Sequence, residues 1–218
     1  MTIVTSHFSE DLRWLRDSPW PVRLVNKTGA RPTWLGATWT IPNSGRECSA
    51  YAKYIVEMYD NLPPWVAFIH GHRLAWHQYY DRPLFELIKM SKKTGFQGLN
   101  GYWLRRESKT YRQHWHVVEP WLGPLPDEPS SFDASAQFVV SADRIRRLPK
   151  EFYQKCLDFS TEAPQQGHDF AVFIEGVWHY IFGEPWVMPV VPLTRILNQE
   201  EVEVDLTPNC IYNIVINK

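Results

Sequence analysis

The chain has 218 residues and a formal net charge of −1, with 44% hydrophobic and 22% charged residues. Its length predicts one domain over residues 1–218, and its composition is typical of a globular protein. The nearly balanced charge gives no electrostatic reason to expect nucleic acid or an anionic membrane as a partner. The 11 Trp, 10 Tyr and 11 Phe residues favour carbohydrate or nucleotide ligands, because aromatic rings stack on sugars and bases.

The three cysteines, Cys48, Cys156 and Cys210, are far apart, with a spacing typical of neither a metal site nor a disulfide framework. Free thiols of this kind fit a reducing compartment. The first residues lack the basic and apolar regions of a signal peptide, and no apolar run has the length of a membrane span. The sequence therefore predicts a cytoplasmic protein without a membrane span.

Strand and helix patterns alternate through the first 70 residues. Apolar runs predict strands over residues 2–5, 22–25 and 65–69. A short helix is predicted after Ser9, and residues 30–41 have the composition of a loop. Ser44 and Glu47 have the spacing of a capping box and predict the start of a longer helix. This alternation indicates an α/β fold with a mainly parallel central sheet flanked by helices.

The pattern beyond residue 70 is less regular. Helices are predicted over residues 83–90, 142–148, 150–159 and 170–182. Strands are predicted over residues 95–102, 137–141, 202–206 and 211–216. The stretch 111–135 contains four prolines and no lasting period, which predicts a long functional loop.

The most informative segment is the apolar run 65–69 and the polar residues after it. Those residues include His70, Gly71, His72, Arg73, Trp76 and His77. A short apolar run that ends abruptly in polar side chains predicts an interior strand whose carboxyl end opens into a ligand site. The alternative is a pair of hydrogen-bonded surface histidines that close the strand.

Two His-x-His motifs raise the question of a metal. His70 and His72 form the first, and His114 and His116 form the second. On a strand, such spacing places two imidazoles on one face, as a divalent transition metal requires. Neither motif includes an acidic residue. The alternative is that these histidines orient a polar ligand or satisfy loop carbonyls by hydrogen bonding.

Arginines near the predicted site suggest a diphosphate ligand. Arg46, Arg73, Arg105 and Arg106 are candidates, because guanidinium groups match phosphate oxygens and the start of a helix attracts anions. The alternative for each is a solvated surface charge. The sequence has no Walker loop, no Gly-x-Gly-x-x-Gly and no Gly-x-Ser-x-Gly motif, which argues against P-loop enzymes, dinucleotide enzymes and serine hydrolases.

Glu175 lies in a largely aromatic segment that is predicted to be helical. Burying a carboxylate is costly unless it has a partner, so its presence there suggests a general base. The alternative is that Glu175 lies on a polar face or pairs with an arginine in a structural role.

An ordered series of motifs resembles a known family. The series comprises Asn43-x-Gly45-Arg46-Glu47, Tyr59-Asp60-x-Leu62-Pro63, Phe68-Ile69-His70-Gly71-His72, Trp76-His77, 136–141 and Glu175-x-x-Trp178-His179. It resembles the uncharacterised family called domain of unknown function 3431. The layout is also distantly similar to a group of bacterial GT-A-type glycosyltransferases, although no Asp-x-Asp follows the central strand.

The second resemblance implies a Rossmann-related, GT-A-like domain. Its implied activity is an inverting transfer of a sugar from a nucleotide-activated donor to a glycan acceptor hydroxyl. Glu175 is then the base, while His70, His72 and Arg73 lie near the diphosphate. The other expected substrate-binding residues are Ser6, Asn26, Lys27, Asn43, Arg46, Glu47, Trp76, His77, Arg105, Gln137 and Trp178. A divalent Mn or Mg ion is compatible with this chemistry. The alternatives are a histidine-based metal-dependent enzyme and a non-catalytic carbohydrate-binding protein.

Overall fold

A six-stranded sheet forms the centre of the protein. The computed structural model describes residues 1–74, 77–78, 83–91, 94–100 and 103–189. Its strands are β1 (Thr2–His7), β2 (Val22–Lys27), β3 (Trp39–Ile41), β4 (Trp65–Ile69), β5 (Phe96–Gly98), β6 (Trp103–Arg106), β7 (Ser130–Asp133) and β8 (Phe138–Ser141). The central sheet has the order β3-β2-β1-β4-β8-β5, and β6 pairs with β7 in a separate two-stranded sheet.

The central sheet is mainly parallel, as predicted. β3, β2, β1 and β4 run in the same direction, whereas β8 is antiparallel to both β4 and β5. β4 therefore lies between β1 and β8, which confirms the interior strand predicted at 65–69. Because β8 runs the other way, the residues just before it lie at the same edge as the carboxyl end of β4.

Helices cover both faces of this sheet. They are α1 (Arg46–Met58), α2 (Leu84–Met90), α3 (Arg112–Leu122), α4 (Ala142–Ile145), α5 (Lys150–Glu162), α6 (Pro164–Glu175) and α7 (Trp178–Ile181). Short 3-10 turns occur at Arg13–Asp17, Tyr59–Asn61 and Ser108–Thr110. Successive residues of a strand point to opposite faces, so Phe68 packs with residues of α1, α5 and α6, and Ile69 packs with residues of α2.

The start of α1 differs from the predicted capping box. The residue that caps the helix is Gly45, whose φ of 68° is in the left-handed region that favours glycine. Ser44 Oγ donates instead to the carbonyl of Ser160, at 2.7 Å, and ties the helix start to α5. The prediction of a capping box was wrong because the Ser44 hydroxyl forms a tertiary hydrogen bond instead of capping the helix.

The prediction of a long loop over 111–135 is also wrong. The stretch contains α3, whose buried His114, Trp115, Val117 and Val118 form one apolar face, and it also contains β7. Pro120 lies in the last turn of α3, where its missing N–H removes only one helical hydrogen bond. Three of the prolines lie beyond the helix, so they do not interrupt it.

Three other predicted boundaries change. The loop predicted over 30–41 contains β3, and the strand predicted over 95–102 is limited to β5. The helix predicted over 170–182 is two helices, α6 and α7, separated at Gly176 and Val177. The strands predicted over 202–206 and 211–216 lie outside the described residues.

Candidate functional site

Polar residues collect at the carboxyl ends of three neighbouring parallel strands. Ser6 lies near the end of β1, Asn26 and Lys27 end β2, and His70 follows β4. The strand register pairs Ser6 with Val25 and Thr5 with Ile69, so these ends lie side by side. This is the edge where open α/β sheets bind ligands.

A buried network of side chains holds His70 in place. The backbone N–H of His70 donates to Gln137 Oε1 at 3.0 Å, and Gln137 Nε2 donates to Asn100 Oδ1 at 2.8 Å. Asn100 Oδ1 also lies 3.0 Å from His77 Nδ1, and Gln78 Nε2 donates to Gln137 Oε1 at 3.3 Å. One polar cluster thus joins the end of β4, the start of β8, the end of β5 and the segment after β4.

The two buried imidazoles of this cluster are neutral at pH 7. The His70 and His77 rings meet edge to face, with centroids 5.1 Å apart. Burial lowers the pKa of His70, and burial lowers the pKa of His77 to about 4. Hence His70 does not supply positive charge beside a diphosphate; its chemistry is hydrogen bonding. His72, by contrast, is exposed.

Three carboxylates act electrostatically on His70. Glu47, Glu175 and Glu10 each act to raise its pKa, against the larger effect of burial. Glu47 comes from the first turn of α1, and Glu175 is the last residue of α6. Glu175 Oε1 accepts a hydrogen bond from the backbone N–H of Ser135 at 3.0 Å. The cluster therefore combines neutral imidazoles with negative charge.

The turn that leads into β8 is strained at this place. Ser135 and Ala136 have φ angles of 73° and 48°, which residues other than glycine rarely adopt. The turn is held by the Glu175 carboxylate and by Tyr51 Oη, which donates to the Ala136 carbonyl at 3.0 Å. Backbone strain of this kind concentrates at functional sites. The next residue after this turn is Gln137.

Lys27 is buried at the end of β2. Its Nζ donates to the Ser44 carbonyl at 2.8 Å and to Ser49 Oγ at 2.5 Å. Burial lowers its pKa to about 8, although the nearby carboxylate of Glu47 acts in the opposite direction. The side chain links β2 to the start of α1 and so supports the position of Glu47.

An open cleft of about 550 Å³ lies beside the turn that follows His70. It is lined by Asp11, Arg13, Trp14, Asp17, His72, Arg73 and Leu74. Trp14 Nε1 donates to the Gly71 carbonyl at 3.0 Å, which fixes the turn against the wall of the cleft. Arg13 pairs with Asp11, whereas His72 and Arg73 are exposed. The cleft thus offers an aromatic ring and a guanidinium group to a ligand.

Other predicted site residues are exposed or make contacts outside the polar cluster. Asn43 and Arg46 are exposed, and the Arg46 guanidinium contacts the imidazole of His168 on α6. Arg105 is exposed on β6, in the second sheet. Trp178 is 3% exposed, so it is a core residue and not a substrate contact in this structure. Trp76 lies outside the described residues.

Trp178 is enclosed by other rings. It stacks on Phe182 with ring centroids 5.5 Å apart and packs against Phe138 and Tyr51. The sequence placed it near Glu175, but α7 turns its side chain into the core.

The second His-x-His motif is helical. His114 and His116 lie on α3, where His114 is buried and His116 is exposed, so the two imidazoles do not share the face that a metal site on a strand would need. His114 packs against Phe159, Phe170 and Phe173. Among the described residues, no group of three His, Cys, Asp or Glu side chains is arranged to hold a metal ion.

Sequence reasoning missed Asn100, Tyr51 and the turn at Ser135. Asn100 follows a short strand with no local motif, and Tyr51 has the spacing of an ordinary core residue. The left-handed turn carries Ser and Ala, which give no signal for such a conformation. The apolar run over residues 138–140, which follows Gln137, was the available signal for that edge.

A family model described as "Protein of unknown function (DUF3431)" matches residues 2–106 and 102–192. The chain belongs to the DUF3431 family. The match includes β1, β4, β8 and Glu175, and therefore all elements that contribute to the polar cluster. No curated protein and no solved structure matches this DUF3431 chain. No helix in the described part of the chain is long and apolar enough to cross a membrane.

Proposed function

We propose that this DUF3431 protein is a glycosyltransferase that moves a sugar from a nucleotide-activated donor to an acceptor hydroxyl, with inversion. The observation that carries the proposal is the carboxylate of Glu175, which acts on His70 at the carboxyl edge of the parallel strands and accepts a hydrogen bond from the turn before Gln137. Sheet edges of this type bind nucleotides in many folds, which is an argument from analogy.

Each step of the transfer has a candidate residue. Glu175 takes the proton of the acceptor hydroxyl, whose oxygen then forms a bond to the anomeric carbon of the sugar. The bond from that carbon to the phosphate oxygen breaks, and the nucleoside diphosphate leaves with the electron pair. Arg73, exposed in the cleft, offsets the charge that develops on the diphosphate.

Binding of nucleoside diphosphates is the first test. UDP, GDP, CDP and dTDP are titrated by calorimetry, with and without Mn²⁺. We expect one of them to bind, and Arg73→Ala to weaken its binding about tenfold or more, since a charge-assisted hydrogen bond is lost. Arg112→Ala, which removes an exposed arginine on α3, is the matched control. Absence of binding by all four nucleotides overturns the proposal.

The second test changes the proposed base. Glu175→Gln keeps the size of the side chain but cannot take the proton, so transfer should fall about 100-fold or more while donor binding is kept. Glu151→Gln, an exposed position on α5, is the control. If Glu175 is only structural, the variant melts at a lower temperature but keeps its activity per folded molecule.

A further inference from the structure

One atom of the site is buried without a hydrogen-bond partner. His70 is 9% exposed, and its Nε2 has no partner among the described residues. Buried polar atoms are nearly always paired, so such an atom needs an explanation. His114 and His179 also have one such nitrogen each, but their rings pack among phenylalanines. His70 alone of these three immediately precedes the turn that lines the cleft.

The surroundings of His70 limit the charge of any group that reaches it. Glu10, Glu47 and Glu175 all act electrostatically on its imidazole. Two of these carboxylates are fixed by backbone amides: Glu10 Oε2 accepts from Phe8 at 2.7 Å, and Glu175 Oε1 accepts from Ser135 at 3.0 Å. Three carboxylates near one point repel an anion, whereas a hydroxyl group carries no charge to repel.

The imidazole is also held firmly. The backbone of His70 is bonded to Gln137, which is bonded in turn to Asn100. The imidazole itself meets the His77 ring edge to face, so both the backbone and the ring of His70 have fixed neighbours. Such preorganisation favours recognition of one hydroxyl group of a ligand.

We propose that His70 forms a subsite for an uncharged sugar, which hydrogen-bonds to Nε2, and that the surrounding carboxylates reject anionic sugars such as uronates. The exposed His72 and Arg73 bind the anionic part of the donor, and His70 binds its neutral part. That the hydroxyl-bearing ligand is a sugar rests on the proposed function.

The test uses free sugars, so it does not depend on nucleotide binding. The methyl glycosides of glucose, galactose and mannose, and the matching glucuronate and galacturonate, are titrated at millimolar concentrations. The imidazole signals of His70, assigned through the backbone, are followed by NMR. We expect at least one neutral glycoside to shift these signals, and its uronate to bind about tenfold more weakly or less.

Variants then examine the source of the discrimination. Glu47→Gln removes one carboxylate from the partly exposed first turn of α1, so it should narrow the difference between neutral and anionic sugars. Glu151→Gln should leave that difference unchanged. Equal shifts from hexosides and uronates overturn the proposal, as does the lack of any shift at His70 with all three neutral glycosides.

The outcomes separate this inference from the proposed function. If sugars shift His70 but no nucleoside diphosphate binds, the subsite stands and the transferase proposal fails. If a nucleotide binds and transfer occurs without a sugar-induced shift at His70, the subsite is wrong and the transferase proposal stands.

Discussion

Asn100 determines the direction of the hydrogen bonds around His70. Its Nδ2 donates to the Ala134 carbonyl at 2.6 Å, so its Oδ1 is the acceptor for Gln137 Nε2. The same oxygen lies 3.0 Å from His77 Nδ1, which must therefore carry the hydrogen. One amide thus fixes both the orientation of Gln137 and the tautomer of His77.

Removing this amide should destabilise the protein. Asn100→Ala leaves the buried Nε2 donor of Gln137 without its acceptor, which costs about 1–3 kcal/mol. Unfolding in urea, followed by fluorescence, measures the loss. Asn61→Ala, at an exposed asparagine, is the control. Equal stability of the two variants contradicts the structural account of the network.

The sequence predicted some site residues because their local setting is unusual. His70 follows an apolar run, and Glu175 lies among aromatic residues. Trp178 could not be assigned in this way, since an aromatic residue looks the same whether it faces a ligand or the core. The role of Asn100 depends on contacts with Ala134 and Gln137, which lie 34 and 37 residues away.

Among the secondary-structure elements, the close approach of α6 to the start of α1 depends on one glycine. A Cβ on Gly167 would collide with the Ser160 carbonyl and with Ser44 Oγ. Ser44 is the residue that ties α1 to α5, and its carbonyl accepts from Lys27. The packing of three helices and the end of β2 therefore meet at this position.

Gly167→Ala should be destabilising, although alanine is the better helix former. We expect a loss of about 1–3 kcal/mol in the free energy of unfolding, because neither a backbone carbonyl nor a buried hydroxyl can move away cheaply. Gly36→Ala, where nothing lies near the added methyl, is the matched control. A variant at residue 167 as stable as the control is evidence against this packing.

Elements with a complete local pattern were predictable from the sequence. β1, β2, β4 and α1 each bury a regular set of apolar residues, and their predicted positions were nearly correct. Strand direction is not encoded in such a pattern, so β8 was predicted as a strand but its antiparallel direction was not. α3 was missed because prolines after the helix obscured the periodicity before it.

For the molecule as a whole, buried histidines should make stability depend on pH. Burial lowers the pKa of His77 and His179 to about 4, and it lowers the pKa of His70 and His114 as well. The unfolded chain takes up protons near pH 6.5, but the folded protein does so only at lower pH. Folding is therefore favoured above pH 6.5 and is progressively weakened as the pH falls towards 4.

The pH profile of urea unfolding measures this effect. The free energy of unfolding should decrease steadily from pH 7.5 to 4.5, and His179 alone, whose pKa burial lowers to about 4, should account for about 2–3 kcal/mol of that loss. At about pH 5, His179→Phe should reduce the number of protons taken up on unfolding by about one. A profile that is flat, or that rises as the pH falls below 6.5, is incompatible with buried neutral imidazoles.

The hydrogen bond from His70 to Gln137 also has a consequence for biosynthesis. β4 pairs with β1 early in the chain, but its other neighbour, β8, begins only at Phe138. While the ribosome is still making the intervening residues, β4 is an edge strand and the His70 amide has no Gln137 to bond to. Pairing β4 with β8 closes a loop of the whole chain between them, and this closure has an entropic cost. The candidate site is therefore assembled late, and an exchange-protected His70 amide marks a molecule that has finished folding.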